Sequence, residues 1–330
     1  MSDPANEKLM RLENIQSAVA PATNFGALSD ILRSAWTVFR FENRRSRTWG
    51  RLLIWLIVVL FPGTILLMMR LVDSQSPQQL WISLLFVSVT EMVVILNALL
   101  WVAPLIQTEL EGKTWLYVAI RPFGRMALTL GKGWNGLSWT LSAGLSSLAL
   151  AVVLLTLSGV DLTPPKPVPM RDAVQTARFP EPEIEPSERS FDVEDWPETA
   201  QRVIVAALQS AAALAALTVL STIVYSPLFA AIGCIAPRRA MLIAFSYTLI
   251  FEVLIALIPA VVNRITVQYH LRCLLTKWID LGINDVEGRF LSSQSSPAWH
   301  VGCLLTMSLL WTVVSLTVVH FRTYVTNDEA

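Results

Sequence analysis

Charge is scarce in this chain. Asp, Glu, Lys and Arg make up 15% of its 330 residues, and 25 acids cancel 25 bases, whereas soluble domains carry roughly a quarter charged residues. A soluble domain with a charged coat is thereby excluded, and without a net basic field nucleic acid is no partner. Cysteine is scarcer still: Cys234, Cys273 and Cys303 are too few and too scattered for a disulfide framework or a zinc knuckle. The first 25 residues lack the basic start and apolar core of a signal peptide, so 1–25 reads as a short cytoplasmic tail.

A phosphate-binding loop is also missing. Gly112-Lys113-Thr114 has the look of its tail, but such a loop needs a glycine five positions earlier so that backbone amides can wrap the phosphates, and position 107 is Gln. The second Gly-Lys, Gly131-Lys132, is followed by Gly133 rather than the Ser or Thr that would hold magnesium. The chain is therefore expected to be no enzyme, with no catalytic residue, cofactor or metal of its own.

What it has in abundance is apolar length. Hydrophobic residues reach 54% and the mean hydropathy is +0.53, and a helix crosses the hydrocarbon layer with roughly 20 mostly apolar residues. Six segments approach that length: Leu52 to Met69, Leu80 to Leu105, Leu128 to Val160, Val203 to Ala230, Met241 to Val262, and His300 to Val319. The third has Gly136, Thr140 and Gly144 at four-residue spacing, which lets a neighbouring helix approach closely. The expected fold is an all-α integral membrane protein, one six-span domain over 26–330 with a Pro-rich acidic loop at 161–201.

Orientation follows the basic residues of the short connections. Arg33 to Arg51 before the first span, Lys113 to Lys132 between spans two and three, and Arg238-Arg239 between four and five fall on one side, the cytoplasm. Both termini then lie inside, and the loop 161–201 outside. Leu28, Ile31, Leu32, Ala35, Trp36 and Phe39 recur at helical spacing opposite Asp30, Arg33, Ser34, Thr37 and Arg40, the pattern of a helix lying in the membrane surface. Leu271, Leu274, Leu275, Trp278 and Leu281 form a second stripe, which either rests in the outer headgroups, dips into the bilayer, or packs on the protein itself.

The polar stretch IQTELEGKTWLYVAIRPFGRMALTLGKGW, 106–134, lies between two of the most apolar runs. It holds Glu109 and Glu111, Gly112 and Thr114, the aliphatic run 116–120 after Trp115, Arg121 and Pro122, then Arg125, and Gly131 with Lys132. In that order and spacing it resembles the connection between spans two and three of ABC-2 type permeases, the membrane subunits of ATP-driven exporters. One departure is that Lys113 separates the Gly from the Thr. The resemblance extends to the surface helix as an elbow, six spans, a large loop after the third, and a short outer helix between the fifth and sixth.

It implies that 108–126 is a coupling segment docking on a separate ABC ATPase, which would bind the ATP and magnesium. Glu109, Glu111, Thr114, Trp115, Arg121, Pro122 and Arg125 would be its contacts, with Trp115 among the apolar edge and charges fixing register. Residues 235–239 would be a second, smaller contact. It further implies a homodimer, or a heterodimer with a related permease, in the lipid of a bacterial inner membrane.

Glu91 and Glu252 fall inside spans two and five, where a carboxyl costs a few kcal/mol unless protonated, paired or facing water. They read either as residues of the translocation path or as packing polars bonded to Asn97 or Tyr247. Two other functions compete with a permease: a proton-coupled secondary transporter using these two carboxyls, and a membrane scaffold that moves nothing. No convincing internal repeat supports the former.

Overall fold

The computed structural model describes residues 24–72, 78–115, 117, 123–158, 196–254, 264–279, 295–322 and 324. Among them every element is helical and none is a strand. In chain order they are α1 (Asn24–Ser46), α2 (Trp49–Val72), α3 (Gln78–Leu85), a π-helical stretch Phe86–Val93, α4 (Val94–Trp101), α5 (Gln107–Glu111), α6 (Gly124–Leu157) and α7 (Trp196–Ile235). A 3₁₀ turn Pro237–Arg239, α8 (Ala240–Tyr247), a second π-helical stretch Thr248–Leu254, α9 (Val267–Trp278) and α10 (Pro297–Phe321) complete the series.

Five helices are long and apolar enough to cross a membrane: Trp49–Val72, Leu80–Trp101, Gly124–Leu157, Ala207–Ile235 and Pro297–Phe321. They correspond to expected spans one, two, three, four and six. The described part of the fifth stops at Leu254; 255–262 lies outside the described residues, as does the acidic loop as far as 195.

Helix α6 is the hub and packs on α1, α2, α4, α7 and α10. Its small residues permit this. A Cβ on Gly136 would come within 2.6 Å of Val102 Cγ2, and one on Gly144 within 2.7 Å of Thr218 Cγ2, while Thr140 between them is fully buried. The expected close-packing face is thus present, against α4 and α7.

Helix α1 is amphipathic along its length, but the stripe turned to the protein is narrow. Ala35, Glu42 and Ser46 are buried, whereas Leu28, Leu32 and Trp36 are exposed, so one face lies on protein and the apolar residues of the other are left uncovered by this chain. Gly131 of α6 seats it: an added Cβ would meet the Ala35 carbonyl oxygen at 2.6 Å and Val38 Cβ at 2.7 Å. Neither a backbone carbonyl nor a β-branched side chain can swing away. Gly131→Ala is therefore expected to lower stability by about 1–3 kcal/mol, the usual cost of overpacking, measured as thermal unfolding of the purified chain. Gly133→Ala, where an added Cβ meets no neighbour, should be neutral by comparison.

Helix α9 resolves the ambiguity of the second stripe. Thr266 caps it, its side chain accepting the Tyr269 amide at 3.2 Å, and Leu271, Leu274 and Leu275 are buried in the main core against α7 and α10. It is inserted in the bundle rather than resting on a surface.

Candidate functional site: charges buried among the helices

Two groups of buried charge lie at different depths. The first ties the polar segment to α1 and α6. Lys132 of α6, 8% exposed, places its Nζ 2.5 Å from Glu109 Oε1 and 3.7 Å from Glu42 Oε1 of α1. The same ammonium donates to Thr108 Oγ1 at 2.9 Å and to the Leu105 carbonyl at 3.5 Å. Thr114 donates its hydroxyl to the other Glu109 oxygen, and Arg45 reaches Glu42 at 3.9 Å. Burial works to raise the Glu109 carboxyl, but the Lys132 ammonium and the Thr114 hydroxyl outweigh it and hold the group below its ordinary value. Next to this cluster, Ser46 Oγ accepts from Asn135 at 3.1 Å and Arg51 at 3.2 Å, a second tie between α1 and α6.

Glu109 is therefore inward, 5% exposed. Trp115 is inward as well. It is 3% exposed, edge-on to Tyr324 with ring centroids 4.8 Å apart, beneath the Arg125 guanidinium at 6.0 Å. An indole in that position packs the segment onto its own chain. Tyr324 donates its hydroxyl to the Cys234 carbonyl at 2.7 Å, and burial pushes its phenol above the ordinary range, so it stays a donor. Arg125 donates to the Arg322 carbonyl at 3.4 Å. What faces outward is Glu111, bonded by Gln107 at 2.7 Å, with Lys113, Tyr117 and Phe123. Lys113 has φ 54°, and Phe123 φ 57°, left-handed values that cost a non-glycine residue roughly 1 kcal/mol. The residue that separates Gly112 from Thr114 is thus the one that makes the turn. Arg121 and Pro122 lie outside the described residues.

The second group lies midway along the bundle. Arg272 of α9 forks onto Glu91, with Nε at 2.9 Å from one oxygen and an NH2 at 3.2 Å from the other, and also donates to Gln268 Oε1 at 3.4 Å. Glu252, fully buried, accepts the Gln268 backbone amide at 3.3 Å and the Tyr247 hydroxyl at 3.4 Å. Gln268 lies in the first turn of α9, where amides have no partner within the helix, so Glu252 caps that helix from another element.

Glu91 and Glu252 each sit in a π-helical stretch. Such turns widen the helix and disturb its regular bonding; beside Glu91 the Thr90 carbonyl accepts Ser221 Oγ of α7 at 2.9 Å. Asn97 is not their partner: it donates to the Val93 carbonyl at 3.0 Å and accepts Trp101 Nε1 at 3.1 Å. One short helix, α9, is thus held by carboxylates from two different parts of the bundle.

Beyond α9, a cavity of about 780 Å³ is lined by Arg264, Tyr269, His270, His300 and Cys303. His270 and His300 bring their Nδ1 atoms to 3.0 Å, so one ring donates and the other accepts. The three cysteines are thiols, and no cluster of three or more His, Cys, Asp or Glu with metal-binding geometry occurs among the described residues. Lys132, Glu42, Arg272 and the histidine pair were not singled out as site residues in the sequence. A lysine inside an apolar helix was a signal for the first; for Arg272 nothing local marked its partner.

The outward surface of the long helices is Leu53, Leu56, Ile57, Leu309, Leu310 and Val313, all about half exposed or more. With buried charges held by partners inside and hydrocarbon outside, this is a multi-pass membrane protein. Residues 43–168 match the family described as ABC-2 family transporter protein. Membrane proteins of that family typically work with an ATPase. Neither a curated protein nor a solved structure matches the chain.

Proposed function

We propose that the chain is the membrane subunit of an ATP-driven exporter, working as a dimer in a bacterial inner membrane with both termini cytoplasmic. The ATP and magnesium belong to a separate ATPase docked on 108–126. The observation that carries this reading is the Glu109–Lys132–Glu42 cluster, which joins the polar segment to two helices at once. A push on the segment's exposed rim is transmitted through a buried, short ion pair rather than lost in a loop, and α6 passes it to every helix it packs on. At mid-depth, rocking of α9 exchanges the partners of Glu91 and Glu252 and separates the inward and outward states of the path.

The test is co-purification. Glu111→Lys with Arg125→Glu reverses the rim, and like charges across an interface cost several kcal/mol, so recovery of the ATPase should fall more than about tenfold with the permease still monodisperse. Arg125 also donates to the Arg322 carbonyl, so Arg125→Gln alone controls for loss of that bond. Normal recovery and turnover in the reversed variant would make the segment a plain loop. Hydrolysis of ATP by the purified chain alone would sink the reading entirely.

A further inference from the structure

At the end of α7, a cavity of about 420 Å³ opens among Leu110, Ile235, Pro237, Arg238, Arg239, Ile243, Arg322 and Tyr324. Three arginines line it, and no carboxylate among the described residues pairs with Arg238 or Arg239, both exposed. Arg322 is fixed in place: it donates to the Cys234 and Ile235 carbonyls, which end α7, and lies over the Tyr324 ring at 5.4 Å. Leu110, Ile235, Pro237 and Ile243 supply its apolar lining. Ile243 lines the cavity and is 41% exposed, and it begins an open strip on the same peripheral helix, with Leu242, Phe245, Leu249 and Ile250.

The cavity therefore sits where α7 leaves the apolar layer and α8 enters it, with three arginines in its lining and an exposed apolar strip leading away. A soluble anion would use the guanidiniums and leave the strip unused; an acidic protein surface would have to cover a face that the hydrophobic layer already bathes. A phosphodiester carrying acyl chains matches both halves. We propose that this cavity binds the headgroup of an anionic phospholipid, its phosphate between Arg238, Arg239 and Arg322 and its chains along Ile243 and the strip beyond. The site holds for either orientation of the chain in the membrane.

The experiment uses the full chain in detergent, doped with dioleoylphosphatidylglycerol or dioleoylphosphatidylcholine, with bound lipid counted by native mass spectrometry. Phosphatidylglycerol should be retained in preference. Arg238→Gln with Arg239→Gln should reduce that preference about tenfold or more, from roughly one charge's worth of surface attraction per arginine, and the Arg238→Lys with Arg239→Lys variant should recover most of it. In the wild-type chain, needing no variant, added NaCl should weaken retention of phosphatidylglycerol and leave phosphatidylcholine unchanged. Equal retention of the two lipids, or a preference untouched by the double glutamine variant, overturns the proposal. So does displacement of the lipid by inorganic phosphate that itself binds, which would make this a soluble-anion site. Loss of a co-purifying ATPase from the glutamine variant with lipid retention unchanged would assign the arginines to a protein contact instead.

Discussion

Lys132→Met is expected to cost the fold about 3–5 kcal/mol, because it leaves two nearly buried carboxylates without the ammonium between them. Glu109 and Glu42 are 5% and 8% exposed, and the ammonium between them also satisfies Thr108 and the Leu105 carbonyl. Methionine nearly conserves the volume, so the loss is electrostatic rather than a cavity. Combining Lys132→Met with Glu109→Gln and Glu42→Gln should return much of the stability, since a fully neutral cluster leaves no uncompensated charge.

The pH dependence has a definite sign. Glu109 is held below the ordinary glutamate value of 4.5, so the unfolded chain takes up its proton more readily than the folded one. Its contribution is fully present above that ordinary value and is lost as pH falls through the depressed one. Thermal unfolding in detergent from neutral to acid pH should show this loss in the wild type and a shallower one in the triple variant. A single Lys132→Met variant as stable as the wild type would show the cluster to be solvated and irrelevant to coupling.

Arg272→Met should loosen α9. Glu91 is 6% exposed and would lose both guanidinium bonds, but Arg272 itself is 36% exposed along its side chain. The penalty is therefore set below that of a sealed pair, at about 2 kcal/mol, or roughly thirtyfold in local opening. Cys273, fully buried on α9, reports it: with Cys234 and Cys303 replaced by alanine, its maleimide labelling should accelerate by about that factor. Arg272→Met with Glu91→Gln should label much more slowly than the single variant, and Arg272→Lys, a single point charge without the fork, should fall between. Labelling indifferent to all three would leave α9 held by its leucines alone.

Much of this protein is legible in a linear reading. Apolar runs of membrane-spanning length mark the long helices because a bilayer leaves the backbone no alternative to internal hydrogen bonding, and Gly136, Thr140 and Gly144 announce a close-packed face because only small side chains permit one. The polar stretch between spans two and three stands out by composition, and its order of residues carries the family likeness. Its inner architecture is not legible: Glu109 and Glu111, two apart with identical chemistry, face opposite fates, and Trp115 turns inward because Tyr324, more than two hundred positions later, supplies its partner.

By itself, then, the sequence determined the solvent, the helices and the scarcity of charge, since these depend on local apolar content summed over about 20 residues. Only the tertiary structure decided which charges meet. Lys132 with Glu109 and Glu42, Arg272 with Glu91, and Glu252 with the first turn of α9 are pairings between elements remote in the chain. Their energies come from distance and from exclusion of water, and neither exists until the helices have packed.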